Sequence, residues 1–193
     1  NGGFPQLVLL TEFTGDSERE VLEKANTAMR DLARFKCAMR IASSVKDAEK
    51  YWAIRRESFN LLRTKIKGKQ TAPFVDDIIV PPESLPQFLP ELNALFTPYK
   101  NDMTYTIAGH AGNGNFHIIP LMDLSSARVR HIIPALTDAV YALVIRYGGS
   151  ITAEHNDGII RTPYLIEMYG AEVYAIFVKT KHIFDPHNIF NPH

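Results

Sequence analysis

Two strand-like segments around a glycine-rich loop constrain the fold more than any other part of this sequence. Residues 103–109 and 115–122 are rich in β-branched, aromatic and other apolar side chains, and Gly112 and Gly114 lie between them. Segments of this length and composition favour β-strands, and glycines between two such segments favour a turn. The sequence therefore predicts a β-hairpin with the glycine loop at its tip.

The rest of the chain alternates helix-like and strand-like segments. Apolar residues recur at helical spacing in several of them. The predicted helices begin at Ser17, Ser44, Ser84 and either Ser125 or Ser126, with two more helical pieces after Arg161. The further predicted strands cover residues 6–13, 37–42, 74–80 and 150–153. This order predicts an α+β fold of ferredoxin-like, duplicated βαβ units, with a mostly antiparallel sheet and helices packed on one face.

Composition narrows the class of protein further. The 193 residues carry 21 basic and 21 acidic side chains, which argues against a nucleic-acid-binding protein. Cys37 is the single cysteine, so neither a disulfide framework nor a zinc finger is expected. No apolar run approaches the ~20 residues of a membrane-spanning helix, and the first residues do not show the pattern of a signal peptide. Because the sequence starts Asn1-Gly2-Gly3 without an initiator Met, we expect a piece of a longer protein.

Two histidines flank the hairpin loop and could bind a metal. In the predicted hairpin, His110 and His117 face each other across the strands, where opposed Cβ atoms lie roughly 4.5–5.5 Å apart. Glu154 would add a carboxylate, and two histidines with one carboxylate leave coordination positions open for catalysis. Two other interpretations stay open, namely histidines with no metal and a phosphate-binding glycine loop. The second is disfavoured because a strand, not a helix, follows the loop.

Arg55 and an acidic pair are the other candidates. Arg55 falls on the apolar stripe of the second helix, where it could form an internal ion pair, extend to the surface, or anchor a substrate carboxylate. Asp76 and Asp77 could act as acid and base, but within a strand one of them is expected to face solvent. Capping or an ion pair is the favoured interpretation for this pair. His131 is expected to be a solvated surface residue.

Four segments together resemble a known family. They are Gly109–His117 (GHAGNGNFH), Trp52–Arg56 (WAIRR), Ile151–Leu165 (ITAEHNDGIIRTPYL) and Phe184–Pro192 (FDPHNIFNP). The first is similar to the GHxGDGNxH signature of FAD-linked oxidases of the vanillyl-alcohol oxidase type, which include D-lactate, glycolate and D-2-hydroxyglutarate dehydrogenases. The others are similar to further motifs of these enzymes and occur in the same order.

The resemblance implies a domain with a defined place in a larger enzyme. Residues 1–193 would be the C-terminal substrate, or cap, domain, with the FAD bound mainly by an N-terminal domain absent from this sequence. The form of the EHxDG-R segment is most similar to fusions that carry iron–sulfur modules as well. One cysteine cannot hold such a cluster, so an iron–sulfur electron acceptor would lie elsewhere. The fragment alone is then expected to be inactive.

The resemblance also implies roles for individual residues. They are metal ligands (His110, His117 and Glu154, for zinc, manganese or iron), a catalytic base near the flavin (His155), substrate contacts (Arg55, Asn115 and Arg161) and flavin contacts (His155 and Asn191). Two positions depart from the family pattern. Asn113 replaces the usual Asp, and Asn156 replaces the usual Gly, although Asn tolerates a left-handed backbone better than most residues.

The implied function is oxidation of a D-2-hydroxy acid by hydride transfer to flavin. The implied location is the cytoplasm or the periphery of the inner membrane. A rival from another class is a non-enzymatic, ferredoxin-like regulatory module that binds a metal or ligand on the same sheet. A flavin domain upstream of this segment would favour the enzyme, whereas a transporter or DNA-binding domain would favour the rival.

Overall fold

The computed structural model describes residues 7–192. Its contacts divide the chain into two compact units, Asn1–Leu61 and Leu62–His193. Within the described residues no helix combines the length and apolar content needed to cross a bilayer.

The first unit contains helix α1 (Glu18–Leu32) and most of helix α2 (Val45–Lys65). Helix α1 begins at Ser17 as predicted, and the Ser17 hydroxyl caps it by accepting the backbone N–H of Glu20. The strands predicted over 6–13 and 37–42 were wrong for the residues that are described, because neither segment pairs with a strand. An apolar run becomes a strand only where a neighbouring edge accepts its hydrogen bonds, and Leu7, Val8 and Leu9 are exposed here.

The second unit is organised around an antiparallel sheet. Its strands are β1 (Gln70–Thr71), β2 (Ile78–Ile79), β3 (Met103–His110) and β4 (Asn115–Met122). Strand β4 is central, with β3 along one side and both β1 and β2 along the other. The predicted hairpin is confirmed. The strand predicted over 74–80 shortens to β2, and that over 150–153 reduces to a single bridge between Ser150 and Ile79.

The core lies between one face of this sheet and two helices, α3 (Leu85–Phe96) and α4 (Ala127–Arg146). Alternate residues of β4 enter it, among them Phe116, Ile118 and Met122. Helix α3 contributes Phe88, Leu92 and Phe96, and α4 contributes residues along its whole length. Burying each large apolar side chain contributes roughly 1.5–3 kcal/mol. The predicted α+β class, with helices packed on an antiparallel sheet, is confirmed.

Two helical pieces end the chain, as predicted. A short helix α5 (Gly158–Arg161) precedes α6 (Leu165–Phe184), whose helical geometry is interrupted at Gly170 (φ 80°). The core helices leave the opposite face of β4 free to carry polar side chains. That face includes Asn115 and His117, and the candidate site described next lies on it.

Candidate metal and catalytic site

The register of the hairpin places the two histidines differently from the prediction. His110 pairs with Asn115, and His117 pairs with Ala108, so the histidines lie diagonally rather than directly opposite. A four-residue loop, 111–114, closes the hairpin and sets this register. The histidines still share one face, and their ring centroids lie 6.1 Å apart. The expected direct opposition was wrong, but the two imidazoles remain neighbours.

Gly114 docks the loop tip against the end of β2. Its backbone is left-handed (φ 74°), and its carbonyl accepts the N–H of Val80 at 3.1 Å. A Cβ at this position would lie 1.8 Å from the Val80 carbonyl oxygen, so only glycine fits. The close approach holds the loop, and with it His110, against the sheet.

Asp77 holds the segment that carries the proposed carboxylate and base. The side chain is fully buried just before β2, on a left-handed backbone (φ 62°). Its Oδ2 accepts the backbone N–H groups of Ala153, Glu154 and His155 at 2.8–2.9 Å. Its Oδ1 accepts the side-chain amide of Asn115 at 3.1 Å. The carboxylate therefore ties the 153–155 turn to β2 and β4.

These contacts keep Asp77 ionised. Burial raises its pKa, but the N–H groups of His155, Ala153 and Glu154 and the Asn115 amide together outweigh burial and lower the pKa to about 2. We had expected one member of the acidic pair to face solvent, which was wrong. Asp77 is buried and Asp76 is nearly so, because the chain bends at these residues instead of continuing as a strand. Asp77 accepts the backbone N–H groups of a turn, so it caps a turn and not the end of a helix.

Glu154 lies between the two hairpin histidines. Its Oε1 is 3.3 Å from His110 Nε2, and its Oε2 is 3.6 Å from His117 Nε2. Two donor atoms bound to one ion at about 2.1 Å and near a tetrahedral angle lie roughly 3.4 Å apart. Each of these two spacings matches a pair of donors on one divalent ion, and the mixed imidazole–carboxylate donors suit zinc, manganese or iron.

A second, overlapping group of donors shares His117 and Glu154. One ligand atom from each of Asp77, His117, Glu154 and His155 falls within 4.8 Å of the others, and His110 lies outside this group. Both oxygens of Asp77 already accept hydrogen bonds from the 153–155 turn and Asn115, so Asp77 is the less available donor. The His110 side chain is half exposed and has no such commitment among the described residues.

The exposed fraction of the side chains increases from the floor of the site to its rim. Asp77, Asp76 and His117 form the floor, with side chains 0%, 14% and 15% exposed. His110, Glu154 and His155 form the rim and are about half exposed. The rings of His117 and His155 stack with centroids 4.8 Å apart and planes 14° from parallel. The sequence indicated the rim residues, whereas the roles of the two aspartates on the floor depended on contacts that it does not encode locally.

Two residues that were predicted to contact the substrate are buried, and their side chains bond to other parts of the protein. Asn115 is buried, and its amide donates to Asp77 and to the Ile78 carbonyl. Arg161 is also buried, and its guanidinium donates to the backbone carbonyls of Asn156 and Asp76. These bonds support the walls of the site. Contact of Asn115 or Arg161 with a substrate stays a prediction.

Other predicted positions lie outside this cluster or bear on its backbone. Arg55 lies on α2 in the first unit and is exposed, which agrees with the alternative in which it extends to the surface, and its substrate contact stays a prediction. Asn191 is exposed near the C-terminus, and its flavin contact stays a prediction. Asn156 adopts the left-handed backbone expected of it (φ 67°). His131 is exposed on α4, as predicted.

Sequence comparison identifies the domain. The family of FAD linked oxidases, C-terminal domain, matches residues 5–193. The chain belongs to this family. The family assignment made from four short segments is therefore confirmed.

Several curated relatives of this FAD-linked oxidase domain are hydroxy acid dehydrogenases. The D-2-hydroxyglutarate dehydrogenase of Pseudomonas putida is 32% identical over 187 residues, which cover 95% of this chain and 18% of the relative. That of Escherichia coli is 29% identical over 190 residues, with the same two shares. The D-lactate dehydrogenase of Anaerostipes hadrus is 29% identical over 189 residues, covering 95% of this chain and 38% of the relative. The domain thus spans less than half the length of these relatives.

Proposed function

We propose that this domain forms the substrate-binding part of an FAD-dependent dehydrogenase that oxidises a D-2-hydroxy acid. The observation that carries the proposal is the position of Glu154, which lies between His110 and His117 and is followed directly by the exposed His155. In this proposal the three side chains would hold a metal beside a group that can accept a proton. The names of the relatives, which include D-2-hydroxyglutarate and D-lactate dehydrogenases, support this substrate class.

His110, His117 and Glu154 would hold a divalent metal, for which zinc, manganese and iron are the candidates. A metal bound by these three ligands would supply Lewis-acid polarisation of the substrate hydroxyl. The half-exposed rim lets a small acid reach His110 and Glu154 from solvent. The more buried His117 would fix the inner side of the metal site.

His155 would take the hydroxyl proton. Its Nδ1 lies 3.5 Å from Asp76, so the opposite ring nitrogen, Nε2, is left to face a substrate. A positioned imidazole suits this role because its ordinary pKa lies near neutral pH. Asp77 holds the backbone of His155 through the N–H bond and so limits where the imidazole can move. Substrate contacts by Arg55, Asn115 and Arg161 stay proposals.

The FAD that supplies the hydride acceptor would be held mainly by another domain of the same protein. The fraction of the Pseudomonas putida relative covered by this chain, 18%, leaves ample length for such a domain. An iron–sulfur module as the next electron acceptor is supported by the form of the motif around Glu154 and Arg161. Cys37, the single cysteine here, cannot hold a cluster by itself.

Flavin reduction tests the proposed reaction. The full-length protein, mixed without oxygen with D-lactate, glycolate or D-2-hydroxyglutarate, should bleach its flavin absorbance with at least one of them. Replacing the proposed base, His155→Ala, should slow this reduction about 10²–10⁴-fold. The matched control is His131→Ala, which removes an exposed histidine on α4 and should reduce at the parent rate. Parent-like rates in the His155→Ala protein would exclude it as the base.

Metal analysis tests the ligand set separately. Elemental analysis should show less bound metal in His110→Ala, His117→Ala and Glu154→Ala proteins than in the parent or in His131→Ala. If His117→Ala and Glu154→Ala lose the metal while His110→Ala retains it, the overlapping group with His155 is the binding set instead. Parent-level metal in all three variants would exclude both sets.

A further inference from the structure

One carboxylate faces both histidines at the floor of the site. Asp76 Oδ1 lies 3.4 Å from His117 Nδ1, and Asp76 Oδ2 lies 3.5 Å from His155 Nδ1. The two rings stack almost in parallel, so their Nδ1 atoms meet the same carboxylate. Asp76 Oδ1 and His117 Nδ1 are both buried, and neither has a hydrogen-bond partner among residues 7–192. The acceptor Asp76 Oδ1 and the potential donor His117 Nδ1 therefore face each other.

Hydrogen-bond chemistry fixes what this arrangement can hold. An ionised carboxylate only accepts hydrogen bonds, and it has two oxygens with which to do so. Each facing Nδ1 must then carry the proton, which leaves Nε2 of a neutral ring with a free electron pair. That nitrogen of His117 is the one 3.6 Å from Glu154 Oε2. A single carboxylate can thus set the same tautomer in two imidazoles.

Asp76 is itself firmly placed. Its backbone carbonyl accepts a hydrogen bond from the buried Arg161 guanidinium. The next residue, Asp77, is anchored by three backbone N–H groups on a different segment. The Asp76 side chain is only 14% exposed. A carboxylate held on both sides in this way loses little further freedom when it orients the two rings.

We propose that Asp76 is a positioning residue that holds His117 and His155 in the Nδ1–H tautomer at the same time. In this role Asp76 directs Nε2 of His117 to the metal and Nε2 of His155 to the substrate hydroxyl. This proposal rests on the function proposed above. Carboxylates that orient metal-binding histidines change metal affinity about 10–100-fold when they are removed. The distinctive feature here is that one carboxylate links the metal ligand to the base.

The test compares Asp76→Asn with Asp31→Asn in the full-length protein. Asp31 is exposed on α1, so its substitution makes the same chemical change away from the site. An amide offers one accepting oxygen and one donating nitrogen, so it can match only one of the two Nδ1–H groups. Zinc affinity, measured by competition with a chromophoric chelator, should fall about 10–100-fold in Asp76→Asn alone. Flavin reduction should slow as well.

A double variant separates positioning from general structural support. In a His155→Ala background the introduced amide has only His117 to serve, so Asp76→Asn should then weaken zinc affinity clearly less than in the parent. Asp76→Ala offers no acceptor, so its loss of zinc affinity should be the same in both backgrounds. Parent-like zinc affinity in Asp76→Asn, or a lowered thermal midpoint without a change in zinc affinity, would overturn the proposal.

The zinc measurements also distinguish this role from the proposed reaction. If the parent protein reduces its flavin with none of the three acids, the substrate assignment fails. The chelator competition still reports on Asp76 and His117, because it does not depend on turnover. Conversely, normal flavin reduction in the parent with unchanged zinc affinity in Asp76→Asn would leave the reaction standing and remove only the role of Asp76.

Discussion

Asp77 and Asp185 are buried carboxylates that each hold a loop, and they differ in how far along the chain they reach. Asp77 accepts three backbone N–H groups from residues 76 to 78 positions away. Asp185, at the end of α6, accepts the N–H groups of Ile189 and Phe190, four and five positions away, and pairs with Lys181. The chemistry is the same, but one clamp joins distant segments and the other closes a local turn.

Asp77 joins segments that are distant in the sequence and carry the proposed site residues, whereas Asp185 joins near neighbours at the end of α6. Without Asp77, the turn that carries Glu154 and His155 loses the acceptor that ties its three backbone N–H groups to the segment before β2. Without Asp185, the residues after α6 lose their bonds near the protein surface, where water can replace them. Function should therefore depend on the long-range clamp and be nearly indifferent to the local one.

The largest effect should come from Asp77→Ala. Three backbone N–H groups and the Asn115 amide lose their acceptor, and the free energy of unfolding should fall by about 3 kcal/mol or more. Urea titration of the 193-residue chain measures this loss. Asp77→Asn keeps one accepting oxygen and should lose less stability. Stability within error of the parent in Asp77→Ala would show that the turn does not need this carboxylate.

A smaller effect should come from Asp185→Ala. It removes the acceptor for Ile189 and Phe190, which are exposed residues in a short closing segment. The stability loss in the same urea titration should be clearly smaller than for Asp77→Ala. Zinc affinity by chelator competition should match the parent. A loss of stability or zinc affinity as large as that of Asp77→Ala would contradict the distinction between the two clamps.

The smallest effect should appear as a slope of stability with pH. The pKa of Asp77 is about 2 when folded, whereas an unperturbed Asp has a pKa of about 3.9. Between these values the unfolded chain binds more protons, so the stability that ionised Asp77 contributes is complete above about pH 4 and is lost as pH falls towards 2.

A second carboxylate contributes to the slope of stability in the same pH range, so the test compares the parent with Asp77→Asn. The hydrogen bond from Lys181 lowers the pKa of Asp185 as well, so this residue adds to the slope in the same direction. Urea titrations at several pH values between 2 and 5 should show a shallower slope in Asp77→Asn than in the parent. Equal slopes in the two proteins would mean that Asp77 is not held ionised by the turn.

Local patterns in the sequence predicted the parts of the site that local physics fixes. The two strands of the hairpin follow from runs of strand-favouring residues around glycines, and the left-handed Asn156 follows from its tolerance of that backbone. The start of a helix at Ser17 was likewise predicted from local sequence alone. The N-terminal strands failed because a strand needs a partner edge, which Leu7–Leu10 do not find in the structure.

The sequence by itself indicated the residues that we propose for the chemistry: His110, His117, Glu154 and His155 stand out through their types and their motifs. Only the tertiary structure decided how they meet. The loop length set the diagonal register of the two hairpin histidines, and the bend at Asp76 and Asp77 turned both carboxylates inward. The physical reason is that hairpin strands and caps are formed by neighbours in the chain. The clamp of Asp77 and the double contact of Asp76 join groups about 40 to 80 residues apart, which no local pattern encodes.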